Sequence, residues 1–270
     1  MLTLDKTFQF RGNEISWAHF GTGDPIVLVH GFPWSAQSWR KLVPWLAKTN
    51  QVFVYDMLGT GRSEKRSDQK VDESVQGELL AELLSFWNLT HPHVIAHDFG
   101  GLAALRAHFI HGVAYGRLHL IDAVALLPSG SPFYQHVAHH EHAFSGLPDY
   151  AHRALLRAYI QNASHQPLSQ EVSDMYLAPY SGEIGQPAFY RQIAQADTRQ
   201  IEELQTHYAK PEFPVDLIWG EHDTFIPPER GRKLASALQA NSFTSLPHAA
   251  HLVQEDAPEA LLGAILTTES

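Results

Sequence analysis

The sequence has no cysteine among its 270 residues. This absence excludes disulfide bridges, cysteine nucleophiles and metal sites built on thiolates. Basic residues are also scarce: 19 lysines and arginines stand against 29 aspartates and glutamates, which gives a formal net charge of -10. Because no run of basic side chains offers a surface to a polyanion, we do not expect nucleic acid as a partner.

Long apolar runs and targeting signals are missing as well. No apolar run approaches the about 18 residues that a membrane-spanning helix requires. Residues 1–6 lack the basic region followed by an apolar one that marks a secretory signal. We therefore expect a cytoplasmic protein that meets no membrane and acts on a small molecule. The sequence leaves its oligomeric state open.

Short apolar runs of the β type alternate with helical patterns in the first 127 residues. Strands are predicted at residues 25–30, 51–56, 93–96 and 118–127, and helices at 36–48 and 75–87. Strands that alternate with helices imply right-handed crossovers, which give an α/β protein with a mostly parallel sheet flanked by helices.

The alternation stops after residue 127 and returns near residue 212. Between these positions the pattern is helical, with no buried strand, and strands are predicted again at residues 215–220 and 242–246. We therefore predict one core domain, made of residues 1–127 and 212–270, into which a helical cap of residues 128–211 is inserted.

The most informative segment is Ala-His-Asp-Phe-Gly at residues 96–100, between a predicted strand and a helical pattern. A strand that turns sharply into a helix needs small residues beside the tip, here Ala96 and Gly100, because larger side chains would collide with the other arm. Such a nucleophile elbow lifts the side chain at the tip clear of the sheet. That side chain is Asp98, and a carboxylate, unlike a serine, attacks without a base. We predict attack on an electrophilic sp3 carbon, which gives an alkyl ester of the enzyme.

Two late residues complete a familiar order of nucleophile, acid and histidine. Asp223 follows the strand predicted at residues 215–220, and His251 follows the last predicted strand. With the His-Gly-Phe-Pro loop at residues 30–33, this order resembles the α/β-hydrolase superfamily across nearly the whole chain. The resemblance implies an α/β-hydrolase fold that needs no cofactor.

The resemblance also implies a role for each residue of the site. His251 would deprotonate a water, and Asp223 would orient His251 and stabilise its charged form. The backbone N–H groups of Phe32 and Phe99 would form the oxyanion hole, which here serves the carboxyl carbon of Asp98 when water attacks the ester.

An aspartate at the elbow resembles the epoxide hydrolases and the haloalkane and haloacetate dehalogenases. Phe189-Tyr190-Arg191 resembles a Tyr-Arg signature of the epoxide hydrolases, which implies that Tyr190 protonates the epoxide oxygen. Haloalkane dehalogenases have Asn and Trp where this chain has Phe32 and Phe99. Haloacetate dehalogenases place arginines soon after the nucleophile, whereas Arg106 lies about two helical turns on.

We therefore expect a hydrolase that opens an epoxide to a diol. Hydrolytic dehalogenation of a haloalkane or haloacid is the alternative within the superfamily, and a non-catalytic binding protein with the same fold is the alternative outside catalysis.

Aromatic and histidine side chains are the candidates for the substrate pocket. The apolar candidates are Trp34, Trp39, Phe133, Phe144 and Tyr134. His140, His142 and Tyr150 stand near the place of the first cap tyrosine of the epoxide hydrolases. Histidines clustered between residues 136 and 142 could bind a metal, but such a cluster is more typical of a solvated surface, so we predict no metal site.

Overall fold

The sheet of the computed structural model, which describes residues 1–267, has eight strands in the order β1-β2-β4-β3-β5-β6-β7-β8. The strands are β1 (Lys6–Phe10), β2 (Asn13–Phe20), β3 (Asp24–Val29), β4 (Asn50–Tyr55), β5 (His93–His97), β6 (Arg117–Ile121), β7 (Val215–Gly220) and β8 (Ser242–Leu246). β2 pairs antiparallel with β1 and β4, whereas the remaining neighbours pair in parallel. The prediction of an α/β fold with a mostly parallel sheet is confirmed.

Helices follow most of the strands and flank the sheet. They are α1 (Val43–Leu46), α2 (Glu73–Phe86), α3 (Phe99–Phe109), α4 (Pro132–His139), α5 (Glu141–Ser145), α6 (Asp149–Gln161), α7 (Gln170–Leu177), α8 (Gly182–Ala194), α9 (Thr198–Gln205), α10 (Pro228–Leu238), α11 (Val253–Asp256) and α12 (Pro258–Thr267). Helices α4 to α9 lie between β6 and β7, in the segment predicted as the cap. None of the helices in residues 1–267 combines the length and apolar character needed to cross a bilayer.

Apolar side chains cover both faces of the sheet. Successive residues of a strand point to opposite faces, so Val27 and Val94 join one buried cluster, while Leu28 and Ile95 join another. A third cluster joins the cap helices to the loop after β3, and Phe32 is one of its members. This third cluster holds the cap against the end of the sheet where β3 and β5 finish.

Two elements differ from their predicted bounds. Residues 36–48 form a 3-10 turn and the short α1 instead of one helix, because Pro44 has no N–H to donate to the preceding turn, as a continuous helix requires. The strand predicted at residues 118–127 ends at Ile121, because Asp122, with φ of 42°, turns the chain out of the sheet.

The turn from β5 into α3 is tight. Asp98 lies at the tip of this turn with φ of 54° and ψ of -126°, a backbone conformation that residues other than glycine rarely adopt. A Cβ atom at Gly100 would lie 2.4 Å from the His30 carbonyl oxygen. Only glycine therefore lets α3 begin this close to the end of β3, and that approach brings Asp98 to the loop after β3.

Candidate active site

The Asp98 carboxylate lies at the end of β5 and is 3% exposed. Its Oδ2 atom accepts a hydrogen bond of 2.9 Å from the Phe32 N–H. The Phe99 N–H, at the first residue of α3, is bonded to no other group in residues 1–267. Of the two donors predicted for the oxyanion hole, the Phe32 N–H thus binds the carboxylate, and the Phe99 N–H has no partner within residues 1–267.

His30 supports the loop that carries the Phe32 donor. Burial lowers the pKa of His30 below its ordinary value, so the ring is neutral. Its Nδ1–H donates to the Gly31 carbonyl over 2.6 Å, and its Nε2 accepts from the Met57 N–H over 2.9 Å. The two bonds fix the tautomer of His30 and tie the loop after β3 to the segment after β4.

His251 stands between the two carboxylates of the site. Its Nδ1 lies 2.9 Å from Asp223 Oδ2, and its Nε2 lies 3.6 Å from Asp98 Oδ1. Burial acts to lower the pKa of His251, but Asp223 and Asp98 outweigh it and raise the pKa well above the ordinary value. The arrangement therefore stabilises the imidazolium as long as both carboxylates are charged.

Asp223 and the backbone of His251 are each held by further hydrogen bonds. Asp223 Oδ1 accepts from the N–H groups of Phe225 and Ile226 at 2.7 and 2.9 Å. The His251 carbonyl accepts from His97 Nε2 at 2.8 Å, and burial lowers the pKa of His97 to about 4, so that His97 is neutral. These hydrogen bonds restrict the motion of His251 and Asp223.

A further carboxyl group, which the sequence analysis missed, lies beside Asp223. Asp122 is fully buried, its Oδ1 accepts from the Gly220 N–H at 3.0 Å, and its Oδ2 has no hydrogen-bond partner. Burial and the nearby Asp223 raise the pKa of Asp122 well above the ordinary value, so it carries a proton. Its sequence signal, an acidic residue directly after a strand, was obscured because the predicted strand ran through it.

Asp122, Asp223 and His251 have donor atoms within 4.8 Å of one another, which is a spacing that a metal ion could use. Of these atoms, however, Asp223 Oδ2 and His251 Nδ1 are bonded to each other at 2.9 Å, and Asp223 Oδ1 accepts from two backbone N–H groups. This donor set fits a hydrogen-bond chain better than a metal centre.

A small cavity of about 50 Å³ opens beside Asp98. Its lining includes Asp98, His251, Phe32, Phe99, Phe225, Tyr134, Tyr159 and Arg230. A single water needs about 10–15 Å³ of such space, so the cavity holds only a few waters or a short carbon chain.

Tyr190, the predicted proton donor, does not line this cavity. Its hydroxyl lies 2.8 Å from His152 Nδ1, inside the cap, and burial raises the pKa of Tyr190 to about 12. The prediction that its hydroxyl faces Asp98 is therefore not met. The physical reason is that α8 packs with Tyr190 turned toward α6, and His152 satisfies the hydroxyl there.

Tyr159, unlike Tyr190, lines the cavity beside Asp98. It lies on α6, one turn after the buried Leu156, and its hydroxyl makes no hydrogen bond to another group in residues 1–267. Burial, and after it the charge of Asp98, raise the pKa of Tyr159 above its ordinary value. The signal in the sequence was the helical spacing of residues 152, 156 and 159, which places them on one face.

Of the other predicted pocket residues, Tyr134 lines the cavity, whereas Trp34, His140, His142 and Tyr150 do not. Trp34 is fully buried behind the base, with its ring 6.2 Å from that of His251. His140 and His142 are exposed at α5, and Tyr150 is 78% exposed on α6. These three positions were wrong for a pocket because the cap helices turn their apolar faces, not these polar ones, toward the sheet.

Gly31 leaves the space that the Asp98 carboxylate occupies. A Cβ atom there would lie 2.3 Å from Asp98 Oδ2, so Gly31→Ala must displace the carboxylate. A catalytic group misplaced by about 1 Å can slow a reaction about 100-fold, and we expect a loss of this size in the reaction of Asp98 with 1,2-epoxybutane. The rate of adduct formation is measured by intact mass after rapid mixing and quenching. Gly263→Ala on α12, which meets nothing within 4 Å, should react at the normal rate. Equal rates in both variants would contradict the assigned packing.

Comparisons with known proteins show the family and agree with the fold. A family model described as alpha/beta hydrolase fold matches residues 24–258. A solved structure of an alpha/beta hydrolase fold protein from Burkholderia ambifaria is 50% identical, with a TM-score of 0.96 and coverage of 99% of this chain and 98% of that one.

Two named enzymes are more distant relatives. The soluble epoxide hydrolase of Corynebacterium sp. strain C12 is 32% identical over 144 residues, which are 52% of this chain and 50% of that protein. The haloalkane dehalogenase of Sphingobium indicum is 24% identical over 289 residues, which cover 96% of this chain and 93% of that protein.

Proposed function

This chain belongs to the α/β-hydrolase family, and we propose that it opens an epoxide to a diol through a covalent ester on Asp98. The observation that carries the proposal is the cap tyrosine Tyr159 in the same cavity as Asp98 and His251. Epoxide opening needs an acid for the oxygen that leaves carbon, and a phenol without another hydrogen-bond partner supplies one. The soluble epoxide hydrolase among the relatives supports the same reaction.

The first step joins the substrate to the enzyme. Asp98 Oδ2 is held by the Phe32 N–H, whereas Oδ1 faces His251, so Oδ1 is the attacking atom. As Oδ1 bonds to a ring carbon, the carbon–oxygen bond of the epoxide breaks, and its electron pair takes the proton of Tyr159. The products of this step are an alkyl ester of Asp98 and the tyrosine phenolate.

The second step cleaves the ester with water. His251 removes a proton from water, whose oxygen attacks Cγ of Asp98, and the N–H groups of Phe32 and Phe99 stabilise the oxyanion on Oδ2. The Cγ–Oδ1 bond then breaks, and Oδ1 leaves in the diol with the proton from His251. The second proton of the water returns to the phenolate through Asp98 and solvent.

The charge on Asp98 controls when His251 can accept a proton. Before alkylation, Asp98 is one of the groups that raise the pKa of His251. Esterification removes that charge, so the pKa of His251 falls and the ring becomes able to accept a proton. His251 is therefore held in its protonated form while Asp98 attacks; once the ester has formed, it releases that proton to solvent and can accept one from water.

The cavity is less suited to halide displacement. A departing halide is stabilised by N–H donors, and the side chains that flank the nucleophile, Phe32 and Phe99, have none. Among the described residues that line the cavity, only His251 and Arg230 carry side-chain N–H groups, and no tryptophan, asparagine or glutamine is present. We therefore favour the epoxide over the carbon–halogen bond.

The test is the substitution Tyr159→Phe. It should slow alkylation by 1,2-epoxybutane about 100-fold, the usual contribution of a positioned acid, measured as single-turnover adduct formation. Alkylation by 1-bromobutane, which needs no proton, should keep whatever rate the unmodified enzyme has. Tyr190→Phe is the matched control, since its hydroxyl bonds to His152, and it should leave epoxide alkylation within about twofold. Unchanged epoxide alkylation in Tyr159→Phe, with efficient bromide release, would contradict the proposal.

A further inference from the structure

Arg230 lines the same cavity as the nucleophile and the base. It lies in the first turn of α10, and its Nη1 donates to the carbonyls of Leu126, at 3.4 Å, and Pro128. Within residues 1–267, no aspartate or glutamate lies within ion-pair distance of Arg230. It is thus a cation in the reaction cavity whose charge no carboxylate of the protein balances.

One edge of the Arg230 guanidinium remains available. A guanidinium has five N–H groups, and the two on Nη1 point at the carbonyls of Leu126 and Pro128. The N–H groups of Nη2 and Nε make no hydrogen bond to another group in residues 1–267. These two groups lie parallel on one edge, which is the geometry that binds both oxygens of a carboxylate.

The rest of the cavity fits a short chain with one anionic end. Apart from Asp98, His251 and Arg230, the lining is mainly aromatic and aliphatic. The charge of Asp98 repels an anionic substrate, so such a substrate needs a compensating cation, and Arg230 is the only lysine or arginine among the described lining residues. The cavity volume of about 50 Å³ limits the carbon chain to a few atoms.

We propose that Arg230 binds the carboxylate of the substrate, and that the preferred substrates are short epoxides bearing a carboxylate. This assignment of substrate class rests on the proposed epoxide opening at Asp98. Arg230 is here a residue that determines specificity, since it contacts the distal end of the substrate and not the reacting carbon.

The competing explanation is that Arg230 only secures the segment after β6 through its carbonyl contacts. The two explanations differ in what they predict for substrate charge. A purely structural arginine affects neutral and anionic substrates alike, whereas a carboxylate-binding arginine affects only the anionic one.

The kinetic test compares 3,4-epoxybutanoate with 3,4-epoxybutanamide, which differ mainly in charge. The unmodified enzyme should prefer the acid in kcat/KM. Arg230→Gln should reduce that preference at least about tenfold, mainly through KM, because a charge-assisted pair is lost. Arg230→Lys should lose less of the preference for the acid. Arg232→Gln should lose none of it, because Arg232 is an exposed residue of the same helix that lies over Phe243. An equal fall for both substrates, or no preference for the acid, would overturn the proposal.

A binding test keeps the proposal independent of turnover. Propanoate should shift the Nε–H resonance of Arg230, assigned by its loss in Arg230→Gln, whereas propanamide should not. No shift with propanoate would refute carboxylate binding even in an active epoxide hydrolase. A shift without any epoxide turnover would instead refute the proposed reaction and leave the anion site in place.

Discussion

We expect His251→Gln to stop the proposed reaction after its first covalent step and to leave one substrate-derived mass on Asp98. In the proposed reaction the carboxylate attacks without a base, whereas the ester is cleaved only by a water that His251 activates. Glutamine lacks a basic nitrogen, so we expect alkylation to continue and ester hydrolysis to slow by about 10² to 10⁴-fold. Intact mass after mixing with 1,2-epoxybutane measures the adduct, and peptide mapping locates it.

Two controls define this result. Asp98→Ala should form no adduct with the same epoxide, because it lacks the nucleophile. In the unmodified enzyme, a single turnover in heavy-oxygen water should label Asp98 before the product, since the new oxygen of the diol comes from the carboxylate. Label that enters the product directly, with no adduct in His251→Gln, would mean that water attacks the substrate itself. The complete absence of reaction would favour a binding protein.

Glu73→Gln should stabilise the fold at high pH and have little effect at low pH. Glu73, in the first turn of α2, is 7% exposed, and burial raises its pKa from an ordinary 4.5 to about 7. A raised carboxyl pKa means that the folded state binds the proton more tightly, so stability falls as the pH rises from about 4.5 to 7. At about 1.4 kcal/mol for each pH unit, the loss reaches about 3 kcal/mol above pH 7.

Urea unfolding at pH 5 and pH 8 measures this difference. The variant should gain about 3 kcal/mol at pH 8 and less than about 1 kcal/mol at pH 5, because glutamine keeps an acceptor for the Asp197 N–H but carries no charge. Glu82→Gln, an exposed position on the same helix, should stay within about 0.5 kcal/mol at both pH values. If Glu73→Gln raised the free energy of unfolding equally at both pH values, the pKa of Glu73 would not be raised in the folded state.

The position of the three central residues follows from strand order alone. Asp98 ends β5, Asp223 follows β7 and His251 follows β8, and each was chosen in the sequence because it comes after a strand. The carboxyl ends of parallel strands meet at one edge of the sheet. Recognising the strands was therefore sufficient to expect these three side chains together, and the structure does bring them within hydrogen-bond or ion-pair distance.

Apolar patterns in the sequence were less reliable for locating the end of a strand when a single residue turns the chain out of the sheet. Apolar residues continue through residues 118–127, yet the strand ends because Asp122 adopts positive φ. The same error hid the buried carboxyl group of Asp122. A sequence pattern reports which residues are apolar, but it does not report which residue leaves the sheet.

The sequence by itself thus determined the α/β architecture, the helical character of residues 128–211 and the strand ends that carry Asp98, Asp223 and His251. These features depend on periodicity and chain order, which are local properties. Only the tertiary structure decided that Tyr159, and not Tyr190, reaches the cavity, and that Arg230 joins it from a distant helix. The reason is that the rotation of each cap helix about its axis is fixed by packing against its neighbours, so side chains a few residues apart along the cap can face the substrate, the interior of the cap or the solvent.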